Sequence, residues 1–452
     1  MTAAARTWTL HETARDNGRR LASVPLPSGP HTGTLTPVIT LDAGRTFQEI
    51  VGFGGALTES SAWALAQLPA PRRAEVVRAY FHPTEGLAYN LARTHINSCD
   101  FSVNSWALAD TPGDHALASF TLEPMRRWVM PLLHEARAVG GTDLRFLASP
   151  WSPPAWMKTN ANMLLGGKLR EDCRDTWARY YVRFLKAMRA EEGIDFWALT
   201  VQNEPAATQP WESCIYSPEE ERDFIRDHLG PVLAASAHHD TKILCFDHNR
   251  DILEAYAGAV FADPASARFV WGAALHWYVS EDFAATSRLL AQFPDKHVLF
   301  SEGCWEGGAK PGQWDRGARY ARNIIGDLNH GVCGWIDWNI VLDIKGGPNH
   351  VGNLCDAPVL VDPATQEVLF QSSFYYIGHF SKFIRPGARR IACENPVDGM
   401  QTAAFRNPDG TLAVVVHNPG PDAFEFTLAS GTERLVCRIP AFAIQTYTAS
   451  AR

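Results

Sequence analysis

FWALTVQNEP, residues 196–205, holds the pattern that decides the fold. An apolar run, Phe196 to Val201, is cut off by Gln202-Asn203-Glu204-Pro205, which puts a polar cluster at the end of a short buried strand. Seven other runs lie along the chain: Phe47 to Phe53, Leu91 to Ile96, Leu144 to Leu147, Lys242 to Phe246, Val270 to Leu275, His297 to Phe300 and Cys333 to Ile336. Between them come stretches of helical periodicity such as Asp175 to Ala190 and Pro218 to Leu229, the second preceded by Ser217 with Glu220 three residues on, a helix-capping pattern. Repeated strand–helix units imply a parallel sheet, and eight of them over about 340 residues predict an α/β fold closed as a (β/α)8 TIM barrel.

From about Arg385 the period changes to two. MQTAAF, LAVVVH, AFEFTLA, RLVCRI and AIQTYTA are separated by turn sequences such as Asn407-Pro408-Asp409-Gly410 and Asn418-Pro419-Gly420, the pattern of an antiparallel β-sandwich. Residues 1–44, including TPVITLD, lack helical periodicity and are expected to add strands to it. The predicted division is thus 1–44 with the sandwich, 45–384 as the barrel and 385–452 as the rest of the sandwich.

Composition excludes several classes. The 452 residues carry a net charge of −8, with no basic footprint for nucleic acid. Nine cysteines lack CxxC spacing and fit reduced thiols. No apolar stretch long enough for an integral membrane segment occurs, and MTAAARTWTLHETARDNGRR has no apolar signal region, so a cytoplasmic location is expected. Gly52-Phe53-Gly54-Gly55 matches no nucleotide-binding loop. Tryptophan is unevenly placed: of 15, eleven lie between Trp151 and Trp338 and none follows.

Glu204 and Glu302 end the fourth and seventh runs, and in a barrel such ends share one face. Two carboxylates flanking a glycosidic bond can protonate the leaving oxygen and attack the anomeric carbon or activate water. Asn203 can bind a sugar 2-OH, and Trp151, Trp277, Tyr278 and Trp338 can offer ring faces and polar edges to sugar. Arg93, inside the second run, needs a buried anion, and the nucleophile is the expected one. Asp100, His248 and His276 can bind hydroxyls or serve the core. A metal site of His95, Asp100, His276 and Glu302 lacks HxH or HExxH spacing, so none is expected.

Together these residues resemble glycoside hydrolase family 30, in its glucosylceramidase branch. GFGGALTESSA (52–62), NSCDFS (97–102), LASPWSPPAWMKTN (147–160), FWALTVQNEP (196–205), ALHWY (274–278), LFSEGC (299–304), WIDWN (335–339), GGPN (346–349) and GHFSKFI (378–384) are similar to its landmarks, in order. The resemblance implies retaining hydrolysis of β-glycosides without a cofactor, with Glu204 as acid/base and Glu302 as nucleophile. It also implies that Asp100, Trp151, Asn203, Trp338 and Asn353 hold the glycone, with His276 and Tyr278 beside the nucleophile. The expected substrate is a small-molecule or glycolipid β-glucoside. An endo-β-1,6-glucanase or β-xylosidase of the same family is the alternative, and a carbohydrate-binding protein without catalysis the outside one. Oligomeric state is not legible from the sequence.

Overall fold

The computed structural model describes residues 6–26 and 36–451; the parts of the expected N-terminal segment at 1–5 and 27–35 lie outside them. Strands β1 (Trp8–Ala14), β2 (Ala22–Val24) and β3 (Val38–Glu49) come first. Then follow β4 (Gly52–Ala56), β5 (Leu91–Ile96), β6 (Arg145–Pro150), β7 (Phe196–Thr200), β8 (Lys242–Asn249), β9 (Val270–His276), β10 (His297–Glu302) and β11 (Gly334–Asn339). These eight close a barrel in the order β4 to β11, every pair parallel. A small sheet, β12 (Val341–Asp343), β13 (Val359–Val361) and β14 (Val368–Phe370), sits in the long connection after β11.

The predicted barrel is present, with one correction at its start. The first run was expected to be a single strand, Phe47 to Phe53. Instead Phe47–Glu49 ends β3, and the barrel strand begins at Gly52. The run is continuous in sequence, but in the fold Phe47 and Gln48 are half-buried and Glu49 exposed, whereas every residue of β4 is buried. Glycine in β4 is a packing requirement: a Cβ on Gly54 would stand 1.9 Å from the Leu91 carbonyl oxygen of β5.

The lower barrel interior is filled by one apolar side chain from each of seven strands, Leu91, Leu147, Ala198, Leu244, Ala274, Leu299 and Ile336. Two residues further along β5, β6, β7 and β10 the same inward face carries Arg93, Ser149, Thr200 and Ser301, because strand side chains alternate. The barrel is therefore apolar at its base and polar at the C-terminal mouth. Outside, helices such as Arg174–Glu192 bury aromatic and aliphatic faces against the strands.

The remaining strands, β15 (Arg389–Glu394), β16 (Gln401–Arg406), β17 (Leu412–Asn418), β18 (Phe424–Ser430), β19 (Glu433–Ile439) and β20 (Ala443–Ala449), join β1, β2 and β3 in the order β19-β18-β3-β15-β16-β17-β20-β1-β2. Phe426 of β18 meets Tyr447 of β20 edge to face at 6.1 Å, although four strands separate them in this order, so the sheet folds over into a sandwich with its own core. All pairings are antiparallel except β18 with β3, which is parallel. No helix among the described residues is long and apolar enough to cross a membrane.

Histidines lie between the two domains. His379, on the last barrel helix (Ser372–Ser381), is within 2.9 Å of both Thr13 and Thr446 of the sandwich. Burial pushes His379 well below the ordinary histidine range, and pushes His417 down to about 3. A depressed histidine stays neutral in the fold while the unfolded chain takes up protons below pH 6.5, so stability is complete above that pH and falls as it drops. Unfolding free energies from denaturant titrations between pH 6.5 and 5 should thus decline by up to about 1.4 kcal/mol per pH unit for each such histidine. His417→Asn should show a shallower decline than the parent; an equal slope would remove His417 from this account.

Candidate active site

Arg93 is the centre of the barrel mouth, and none of its surface is exposed. Its guanidinium donates to Glu302 Oε2 at 2.6 Å, Asp247 Oδ2 at 2.7 Å, Asn203 Oδ1 at 2.9 Å, Ser149 Oγ at 3.0 Å and the Ser301 carbonyl at 3.2 Å. Burial would strip a cation of its charge, but Asp247 and Glu302 outweigh this and hold Arg93 above its usual range. The reciprocal effect keeps Asp247 ionised: burial opposes, and Arg93 with His276 and Ser301 drives its pKa far down.

Asp247 spends every acceptor position. Oδ1 takes His276 Nε2 at 2.9 Å and Ser301 Oγ at 2.6 Å, and Oδ2 takes Arg93 and Thr200 Oγ1 at 2.8 Å. The other ring nitrogen of His276 faces Glu204 Oε1 at 3.3 Å, and Gln209 Nε2 reaches Glu204 Oε2 at the same distance. Burial works against a charged His276, yet Glu302, Asp247 and Glu204 together raise it to about 9. Glu204 is correspondingly held low: burial is overcome by the hydrogen bond and charge of His276. For Glu302, burial and the charges of Glu204 and Asp247 push upward against His276 and Arg93. Tyr278 donates its hydroxyl to Glu302 Oε1 at 2.9 Å. An oxygen of Glu204, an oxygen of Glu302 and a nitrogen of His276 lie within 4.8 Å of one another, so the three titrate as a unit.

The cavity above them measures about 280 Å³. Asp100, Trp151, Asn203, Glu204, Tyr278, Glu302, Trp338 and Asn353, eight of the residues singled out in the sequence, all line it. Arg93 and His276 stand directly behind, in contact with the carboxylates. Asp100 Oδ2 accepts from Asn349 at 3.2 Å and Asn353 at 3.1 Å, and burial pushes it up to about 7. Trp151 and Trp338 stack on each other, centroids 5.1 Å apart, with Arg93 over both rings. Being 2% and 3% exposed, they offer the cavity little more than an edge each. Trp277 is barrel packing, wedged against Phe300, Tyr320 and Trp335. His95 faces the Glu59 amide and the Asn97 carbonyl with its two nitrogens, which takes it out of any set with His276 and Glu302. His248 Nδ1 stands 3.9 Å from Glu204 Oε1.

Sequence reading missed Asp247, the residue on which the others converge. Regular alternation from inward Leu244 puts Phe246 inside the barrel and Asp247 outside. The pairing of β8 with β9 shifts between Phe246 and His248, and Phe246 (φ +75°) and Asp247 (φ +51°) both adopt left-handed backbone. This bulge turns Phe246 outward against Tyr256 and Asp247 inward. Gln209, Trp211, Val279 and Glu306 also line the cavity from loops that carry no periodic signal.

The family model described as the glycosyl hydrolase family 30 TIM-barrel domain matches residues 50–384, and that of the family 30 beta sandwich domain matches residues 387–447. The chain belongs to glycosyl hydrolase family 30. It is therefore a glycoside hydrolase. It is similar to the lysosomal acid glucosylceramidase of Mus musculus, 37% identical over 98% of this chain and 88% of that one. It is also similar to an endo-1,6-beta-D-glucanase of Neurospora crassa, 29% identical over 86% of this chain and 85% of the other. The crystal structure of SrfJ from Salmonella typhimurium superposes with a TM-score of 0.94 and 33% identity, covering 99% of this chain and all of that one.

In this hydrolase Arg93 is the test of the charge arrangement. Arg93→Met leaves Asp247 and Glu302 buried without their cation, and should lower the unfolding free energy by about 3–5 kcal/mol. The acid limb of kcat/KM should also move to higher pH, since Glu302 ionises later without the guanidinium. An unchanged acid limb in a folded variant would show that Arg93 does not set the state of Glu302.

Proposed function

We propose that the chain is a retaining exo-β-glucosidase of the glucosylceramidase type, with Glu302 as nucleophile and Glu204 as general acid and base. The observation that carries this reading is the spacing of the two carboxylates, whose nearest oxygens lie within 4.8 Å. Retaining enzymes hold the pair about 5–5.5 Å apart, whereas inverting ones leave about 6.5–9.5 Å for a water.

The roles follow from what each carboxylate touches. Glu302, bound by Arg93 and by the Tyr278 hydroxyl, is the one supplied with a fixed cation and attacks as an anion. Glu204 borders a proton carrier. When a sugar displaces water, the neutral form of the Glu204–His276 pair is favoured over the charged one, and the proton passes from Nδ1 to Oε1 across 3.3 Å. Glu204 then protonates the departing oxygen. In the second step, with the Glu302 charge consumed in the glycosyl ester, Glu204 accepts a proton from water and His276 can share it.

Substrate size and rim chemistry support a terminal sugar with an apolar leaving group. A cavity of about 280 Å³ is at the small end of ligand sites, which run from about 300 to 1,000 Å³, and suits one ring better than a chain. Asp100, Asn203 and Asn353 supply polar groups for its hydroxyls. The wall also includes Trp211 and Val279, and Val279 is 66% exposed. The similarity to an endo-1,6-beta-D-glucanase favours the second reading, chain cleavage of a β-1,6-glucan.

Two experiments test the reading. Glu302→Ala should abolish turnover of an aryl β-glucoside, and azide should restore it with formation of the α-glycosyl azide; turnover by the unrescued variant would refute the nucleophile. Assayed side by side, aryl β-glucoside and glucosylceramide should be cleaved faster than aryl β-xyloside and pustulan, whereas faster cleavage of pustulan would replace this reading with the glucanase one.

A further inference from the structure

Glu221 lies outside the cavity, yet it is wholly buried and contacts the segment that aims Asp247. It sits on the helix Pro218–Phe224, whose start is fixed by reciprocal bonds between Ser217 and Glu220. Its Oε1 accepts the Phe246 N–H at 2.9 Å. That N–H belongs to the first of the two residues in left-handed backbone. The bulge takes it out of the barrel's ladder, and a buried N–H needs another acceptor. Two successive non-glycine residues at positive φ persist only where their surroundings hold them.

We propose that Glu221 is a positioning residue: by accepting the Phe246 N–H it holds the β8 bulge in the form that turns the Asp247 carboxylate into the barrel. Through Asp247 it governs both reacting carboxylates. The side chain of Asp247 orients Arg93, which binds Glu302, and His276, which binds Glu204, and the Asp247 carbonyl accepts the Glu204 N–H at 2.9 Å. Glu221 does not line the cavity itself; it acts by keeping an outward-facing N–H satisfied on the far side of the strand.

The inference rests on the assignment of Glu204 and Glu302, and its test separates the two. Purified full-length Glu221→Gln and Glu221→Met are compared with the parent on the aryl β-glycoside that the parent cleaves fastest. The amide oxygen of glutamine still accepts from Phe246, so Glu221→Gln should keep parental kcat and pH profile. Methionine fills the space without an acceptor, so Glu221→Met should lose about tenfold or more in kcat with KM within about threefold, as expected for misplaced reacting groups. Its alkaline limb should also move to lower pH, because His276 loses the Asp247 carboxylate that keeps it protonated. A folded Glu221→Met with parental kcat and pH limits overturns the proposal, as does equal damage in both variants. Amide exchange in the unsubstituted protein decides independently, including where Glu221→Met does not fold or the parent cleaves no β-glycoside. Phe246 N–H should exchange as slowly as the central strand amides, and exchange at the rate of exposed loops overturns the proposal.

Discussion

Burying one cation at the mouth of the barrel constrains everything around it. A guanidinium with no exposed surface is tolerable only when its donors are met by anions and oriented dipoles. Arg93 meets that demand with two carboxylates, an amide oxygen, a hydroxyl and a carbonyl drawn from four different barrel strands or the loops that follow them. The requirement works in both directions. Asp247 remains ionised although buried because Arg93 is there, Glu302 is pulled back from the upward push of burial by the same cation, and Arg93 can be there because the strands of a closed barrel bring those groups to one point. The polar mouth and the apolar base are consequences of the same alternation, with Leu91 and Arg93 on one face of β5 two residues apart.

The site also depends on departures from regular strand geometry. Register shifts occur in β8 before His248, in β10 before Glu302 and in β11 before Asn339. Each lies at the C-terminal end of its strand, where an added residue changes which side chain faces inward. In β10 the shift lets Ser301 and Glu302 both reach the centre, one bonding Asp247 and the other Arg93. Glu204 itself has φ +47° and is anchored by its N–H on Asp247. The candidate site is thus built partly where the ladder breaks, at Glu204, Asp247 and Glu302, and partly on regular strand, where β5 presents Arg93.

Much of this was legible in the chain. The eight apolar runs and the change to period two mark the barrel and the sandwich because burial on one side or both leaves that imprint on composition. Glu204, Glu302 and Arg93 were legible because a charge at the end of, or inside, a buried strand is expensive and so stands out. Asp247 was not, although it adjoins a recognised run, because period-two counting assigns it to the wrong face. The two indoles at the mouth could be named, but their mutual stacking, which uses ring surface otherwise open to a sugar, is a relation between β6 and β11 that no local pattern carries.

By itself, then, the sequence determined the architecture and brought two glutamates forward as candidates, because hydrophobic periodicity and misplaced charge are properties of short segments. Tertiary structure alone decided which carboxylate receives the guanidinium, which one faces His276, and that Asp247 joins them. Those outcomes depend on distances of a few ångströms between residues far apart in the chain and on bulges of one residue, and electrostatic interaction in a buried site changes steeply over just such distances.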